Sequence, residues 1–198
     1  GEYFPVEQDN TGTYIMNSRD MCMIEHISKL TEAGINSFKI EGRAKSAYYT
    51  AVSVNAYRCA IDGYEKSGFD INYVPEQWIL DEVRKASNRQ YCTGFYFSTP
   101  MDDAQIFYNG GYVREWDVAA IAEKWENGVL YCSQRGKFTL GDEIEILQPS
   151  GDTIKFTPNW IKNAEGENVE STPHSKMAFT VDCPVEIRPM SILRKKAE

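Results

Sequence analysis

Apolar positions along this chain follow two rhythms. Up to about residue 84, short β-branched runs alternate with stretches that carry apolar residues at the three- and four-residue steps of a helix. From Ala104 onward the texture changes to short β-rich runs at intervals of about ten residues, the spacing of an all-β barrel or sandwich.

The first rhythm predicts strand, helix, strand, helix. After a lead-in segment without periodicity, Gly1 to Asn10, the run Thr13-Tyr14-Ile15-Met16 suits a buried strand. Met23, Ile24, Ile27 and Leu30 mark one face of a helix that Ser18 or Asp20 can cap and Gly34 stops, and Ile35 to Ile40 returns as a second strand. So short a connection makes the two strands parallel neighbours with a right-handed crossover. Ser46 opens another helix, with Tyr49, Val52, Ala56, Cys59 and Ala60 on one face and its end between Gly63 and Gly68. Two parallel strands cannot cover both their own faces, so this unit is incomplete as it stands. Pro75 with Trp78, Ile79, Leu80 and Val83 predicts a third helix, and SNRQYCTGFYF reads as an extended arm packed across a domain boundary.

In the second rhythm, Val118 to Trp125 and Val129 to Gln134 flank Glu126-Asn127-Gly128, and Asn-Gly is a strong hairpin signal. Phe138 to Ile146 leads into a further strand, and Ser191 to Arg194 makes the last one before a basic tail. The fold class is therefore α/β plus all-β: an α/β part over residues 1–72, a connecting helix and arm over 73–104, and a small β-barrel over 105–198.

Composition narrows the function classes. A net charge of -8 gives no whole-molecule attraction to nucleic acid or an anionic membrane, so any such contact must be local. The 5 cysteines are odd in number, scattered and never close in sequence, which favours a reducing compartment and argues against a self-contained zinc site. No apolar run approaches a membrane span and no basic-then-apolar signal opens the chain, so a cytoplasmic location is expected. The first residue, Gly1, leads us to expect a piece of a longer protein.

Several residues could carry chemistry. Lys39 and Glu41 share one side of the second strand, and with Arg43 and Lys45 they could clamp an anion while Glu41 takes a proton; the alternative is a structural ion-pair network. Cys22, early in a helix after a strand, could be a metal ligand or nucleophile, or a small apolar filler. His26 follows one helical turn later beside Glu25, a permissive but unspecific spacing, and His174 has no acidic or cysteine partner nearby in sequence. Tyr91, Phe95, Tyr96 and Phe97 could stack on unpaired RNA bases or pack between domains. Arg194, Lys195 and Lys196 read as a solvated basic terminus. No familiar hydrolase motif is present.

GEYFPVEQD, YIMNSRDMCMIEHI, AGINSFKIEGRAKSAYY and SNRQYCTGF resemble the C-terminal half of the collagenase-like peptidases of family U32, and GKFTLGDEIEIL with CPVEIRPMSILRKK resembles that family's small C-terminal barrel. The resemblance implies that the two strands above are the last two of a TIM-like barrel in a full-length parent, and that the small barrel is similar to domain two of translation elongation factors. It implies an iron–sulfur cluster held by four cysteines in that parent, with Cys22 as one ligand and the others upstream, so that no cluster is expected in this chain alone, which should be inactive. Several members resemble enzymes that hydroxylate a uridine in transfer RNA or a cytidine in ribosomal RNA. Under that reading Lys39, Glu41 and Arg43 are catalytic candidates at the barrel rim, and Lys45, Asn17 and Arg19 contact substrate. The alternatives are a protease of unknown catalytic type acting on peptides, and a protein-interaction module. An exposed half-barrel face could drive the chain to form homo-oligomers.

Overall fold

The computed structural model describes residues 6–10, 12–15, 18–97, 112–149, 151 and 153–197. They fall into two compact units that do not follow chain order: residues 1–39 with 60–114, and residues 40–59 with 115–198.

In the first unit, strands β1 (Val6–Gln8) and β2 (Thr13–Ile15) form an antiparallel hairpin. The strand expected at Thr13 exists, but its partner is the segment before it. Ile35 to Ile40 is extended without joining any strand among the described residues. A strand is stabilised by ladder bonds to a neighbour; among the described residues this stretch has none, so they do not form the expected strand–helix–strand unit. The parallel pair that does form is short and distant in sequence: β3 (Asp20–Met21) runs beside β4 (Tyr91–Cys92). Asp20, expected as a helix cap, instead accepts the Arg89 backbone N–H on its carboxylate at 3.0 Å.

The first helix begins later than expected. A 3-10 turn over Ile24–His26 leads into α1 (Ile27–Glu32), and its predicted apolar face is buried: Met23, Ile24, Ile27 and Leu30 are all buried, as are Ile79, Leu80 and Val83 of α3 (Gln77–Arg84) in the same unit. Helix α2 (Ala47–Lys66) starts where the Tyr49 N–H donates to Ser46 Oγ at 3.1 Å, a side-chain cap that satisfies one of the helix's open donors. Val52, Ala56 and Ala60 on its predicted face are fully buried. Its residues up to Cys59 group with the second unit and those from Ala60 with the first.

The second unit is built on a seven-stranded antiparallel sheet in the order β8-β7-β11-β5-β6-β10-β9. The strands are β5 (Trp116–Glu126), β6 (Val129–Gln134), β7 (Ile144–Leu147), β8 (Ile154–Phe156), β9 (Ile161–Asn163), β10 (Ala178–Asp182) and β11 (Ile192–Lys196). Strands β5 and β6 form the hairpin expected from Asn127-Gly128: both residues have positive φ, 50° and 82°, which is what a two-residue turn matching the strand twist demands. The sheet curls into a half-barrel around one apolar core, in which Leu130, Phe138, Ile144, Ile146, Ile161, Phe179, Val181 and Leu193 are all buried.

The basic C-terminus is not a solvated tail. Arg194 and Lys195 belong to β11, which lies inside the sheet between β5 and β7; Arg194 is 0% exposed. Glu145 stands opposite it on β7, and their ion pair at 2.9 Å, with Lys195 to Asp142 at 3.0 Å, supplies counter-charges that the local sequence does not contain.

Candidate functional site

The β3–β4 pairing brings two thiols together. Directly after β3, the Cys22 N–H donates to the Cys92 carbonyl at 2.9 Å, so Cys22 sits on an irregular stretch before the helix and not within its first turns. Cys22 and Cys92 are both half-buried and both line a cleft of about 220 Å³, together with Glu25, His26, Leu80, Arg84, Tyr91 and Thr93. Cys92, some seventy positions on, carries no local signal for this; only the register of β3 against β4 reveals it.

His26 borders the cleft as a base. Burial pushes its imidazole below its ordinary value, the Lys29 charge pushes the same way, and Glu25 opposes both, so the ring is neutral at pH 7. The Phe97 ring meets it edge-on with centroids 4.5 Å apart, and Lys29 Nζ lies 5.0 Å from the centroid of that same Phe97 ring. The arm carrying Phe97 turns at Thr93–Tyr96, where the Tyr96 N–H donates to the Thr93 carbonyl at 3.3 Å. Gly94 has φ +58°, a conformation that favours glycine, while the exposed Met21 side chain, 3.2 Å from where a Cβ would stand, could yield to one. The rings of Phe95, Tyr96 and Phe97 are exposed.

The other expected site residues are placed differently. Lys39, Glu41 and Arg43 are exposed on an irregular stretch that turns at Arg43–Ala44, not on one face of a strand. The Arg43 N–H donates to Glu41 Oε1 at 3.1 Å, a local turn contact, and Lys45 Nζ lies 5.3 Å from the Tyr49 ring centroid. Arg19 is half-buried between β2 and β3, and Asn17 lies outside the described residues. His174 borders an open depression in the second unit beside Glu165 and Glu170.

The cysteines divide by chemistry. Cys132 and Cys183 lie in the sheet's core, where burial pushes both thiols up. Under native conditions a chromogenic disulfide reagent is expected to titrate Cys22, Cys59 and Cys92, with Cys132 and Cys183 reacting only in denaturant. Full native reactivity would mean that the core opens readily.

Among the described residues no three His, Cys, Asp or Glu side chains converge as a metal site. An iron–sulfur centre takes four thiolates; among the described residues this cleft holds two cysteines, Cys22 and Cys92, so the residues here could supply at most part of such a ligand set. No helix among the described residues is long and apolar enough to cross a membrane.

The chain is similar to proteins of known family. The family model described as peptidase family U32 matches residues 2–106, and the peptidase family U32 C-terminal domain matches residues 114–194. The tRNA hydroxylation protein P of Escherichia coli is 35% identical over 188 residues, covering 93% of this chain and 40% of that protein. A collagenase of Porphyromonas gingivalis is 28% identical over 152 residues, covering 75% of this chain and 42% of that one. A crystal structure of the C-terminal domain of a Geobacillus thermoleovorans U32 peptidase matches with a TM-score of 0.38 at 20% identity, covering 40% of this chain and 99% of that chain. The chain spans about two fifths of the length of the curated relatives it matches. With one family model over its first half and the companion domain over its second, the chain belongs to peptidase family U32.

Proposed function

We propose that this chain is the C-terminal part of an enzyme that hydroxylates a base in transfer RNA. The observation that carries the reading is the similarity to a tRNA hydroxylation protein along 93% of the chain, through the Cys22 cleft and the curled sheet alike. In the parent, Cys22 would hold one iron of an iron–sulfur cluster whose remaining thiolates come from beyond the described residues. Such a centre supplies one-electron chemistry, which no side chain of this chain can provide alone.

This chain's own residues do the remaining work. The cleft walls, Leu80 and Val83, limit water around the thiol, and Cys92 lies close enough to tune or share the site. The neutral His26 can accept a proton at the cleft edge. Lys39, Arg43 and Lys45 supply positive charge to an RNA phosphate or an acidic co-substrate from an exposed segment, and the curled sheet helps to place the RNA.

The test uses the protein at the full length of its relatives, prepared without air. Iron content and visible absorption are expected to fall sharply in Cys22→Ala, and mass spectrometry of tRNA is expected to find one added oxygen with the parent only. An unchanged iron content would make Cys22 a cleft residue without a ligand role. Absence of hydroxylated tRNA with intact iron would overturn the function.

A second reading, a peptidase, has one observation in its favour: Cys22 and His26 line the same cleft, and a thiol beside a neutral imidazole is a nucleophile–base arrangement. Proteolysis of gelatin that is abolished by Cys22→Ser and by alkylation, in protein free of iron, would select it.

A further inference from the structure

We propose that Phe95 and Tyr96 form a stacking platform for unpaired RNA bases beside the Cys22 cleft, with Lys29 and Arg84 as its phosphate contacts. The inference rests on the tRNA reading above and assigns the surface that would carry it.

Large aromatic side chains are normally withdrawn from water, yet Phe95 is 80% exposed and Tyr96 54% exposed. They are held there by structure. The Gly94 turn fixes the backbone before them, and the next residue, Phe97, is pinned by the His26 edge contact and by Lys29. An arm anchored on both sides presents its two outward rings with little conformational freedom left to lose, the condition under which stacking yields affinity.

The surroundings match a single-stranded polyanion better than an apolar partner. Apolar atoms of Phe95, Tyr96 and the exposed Met21 alternate with cations: Lys29 stands at Phe97, and Arg84 lines the adjoining cleft. The Arg84 side chain is 58% exposed and its ion pair to Asp81, at 3.6 Å, is loose, so its guanidinium can turn to a phosphate. On a molecule of net charge -8, RNA is attracted only through local cations, and Lys29 and Arg84 supply them here, with Glu25 as the one carboxylate among the described residues that line the same cleft. A base stacked on Phe95 would lie next to the cleft that holds Cys22 and His26, because Cys92 and Thr93, which lead into the turn, form its wall.

The experiment uses the full 198-residue chain and two fluorescent probes, a twelve-nucleotide polyuridine and an unmodified tRNA transcript, read by anisotropy at low and moderate salt. Phe95→Ala and Tyr96→Ala are each expected to weaken polyuridine binding roughly tenfold, the double variant further, and Phe95→Trp to keep parental affinity. Lys29→Ala is expected to flatten the salt dependence by about one unit of slope. Probes that bind the double variant as tightly as the parent would overturn the platform and leave the RNA reading standing. Failure of the parent chain to bind either probe at low salt would overturn both. A concentration-dependent dimer in sedimentation, dissolved by the double variant, would assign the rings to a second copy of the chain and overturn the platform.

Discussion

Replacing Arg194 with alanine is expected to destabilise the sheet by about 3–5 kcal/mol, read as a lower midpoint in urea or thermal unfolding. Its guanidinium is fully buried. Nε and Nη2 both donate to Glu145 Oε2, at 3.2 and 2.9 Å, Nη1 donates to Tyr48 Oη at 3.3 Å, and the Trp116 ring lies 5.2 Å away. Glu145 is 1% exposed, so truncating Arg194 takes its buried counter-charge from a carboxylate that has left water, while Lys155, at 2.8 Å, is itself largely exposed. The cost comes from that buried charge more than from the lost contacts. The paired replacement Arg194→Met with Glu145→Leu, which removes both charges and keeps the volume, is therefore expected to cost less than Arg194→Ala alone. Equal losses in the single and double variants would refute the account. Arg194→Lys is expected to recover little, since one ammonium cannot serve Glu145, Tyr48 and Trp116 together.

Arg194 lies in the last strand as expected, but its burial is not legible in its local sequence. Three basic residues in a row, near the chain's end, match a solvated run, and the partners that bury them lie at Glu145 and Asp142, about fifty positions earlier. Pairing across strands is set by register, which local composition does not encode. The same reason hid Cys92 beside Cys22 and the β3–β4 pair that joins them. Where the deciding contacts are local, the reading is accurate: the buried face of α1, the Ser46 cap and core face of α2, and the Asn127-Gly128 hairpin all follow from residues within a few positions of one another. Ile35 to Ile40 shows the converse. Its β-branched and aromatic residues suit a strand, but a strand also needs a neighbour, and none of the described residues provides one. The exposure of Phe95 and Tyr96 is likewise set by the fold around them and not by their local sequence, which allowed either stacking or packing.

Phe138→Ala is the second large effect expected, a loss of about 3–5 kcal/mol, with Phe138→Leu costing about 1–2 kcal/mol. The ring is 1% exposed and packs 5.9 Å from Phe179 across the interior of the curled sheet, so alanine leaves a void that strands on both sides cannot close without shifting. The backbone there is equally committed. The Phe138 N–H donates to Thr172 Oγ1 at 3.2 Å, the Thr172 N–H returns to the Phe138 carbonyl at 2.8 Å, and the Leu140 N–H donates to the Glu170 carbonyl at 2.8 Å. This segment thereby ties the chain before β7 to the chain before β10, a link between distant strands that the sheet ladder does not make. The urea midpoint should fall with the denaturant slope unchanged, the mark of a less stable but equally compact state. Below its unfolding transition, the variant should bind polyuridine as tightly as the parent, because Phe138 touches only core. A weakened affinity in the folded variant would instead move the RNA contact from the Phe95–Tyr96 arm to the sheet.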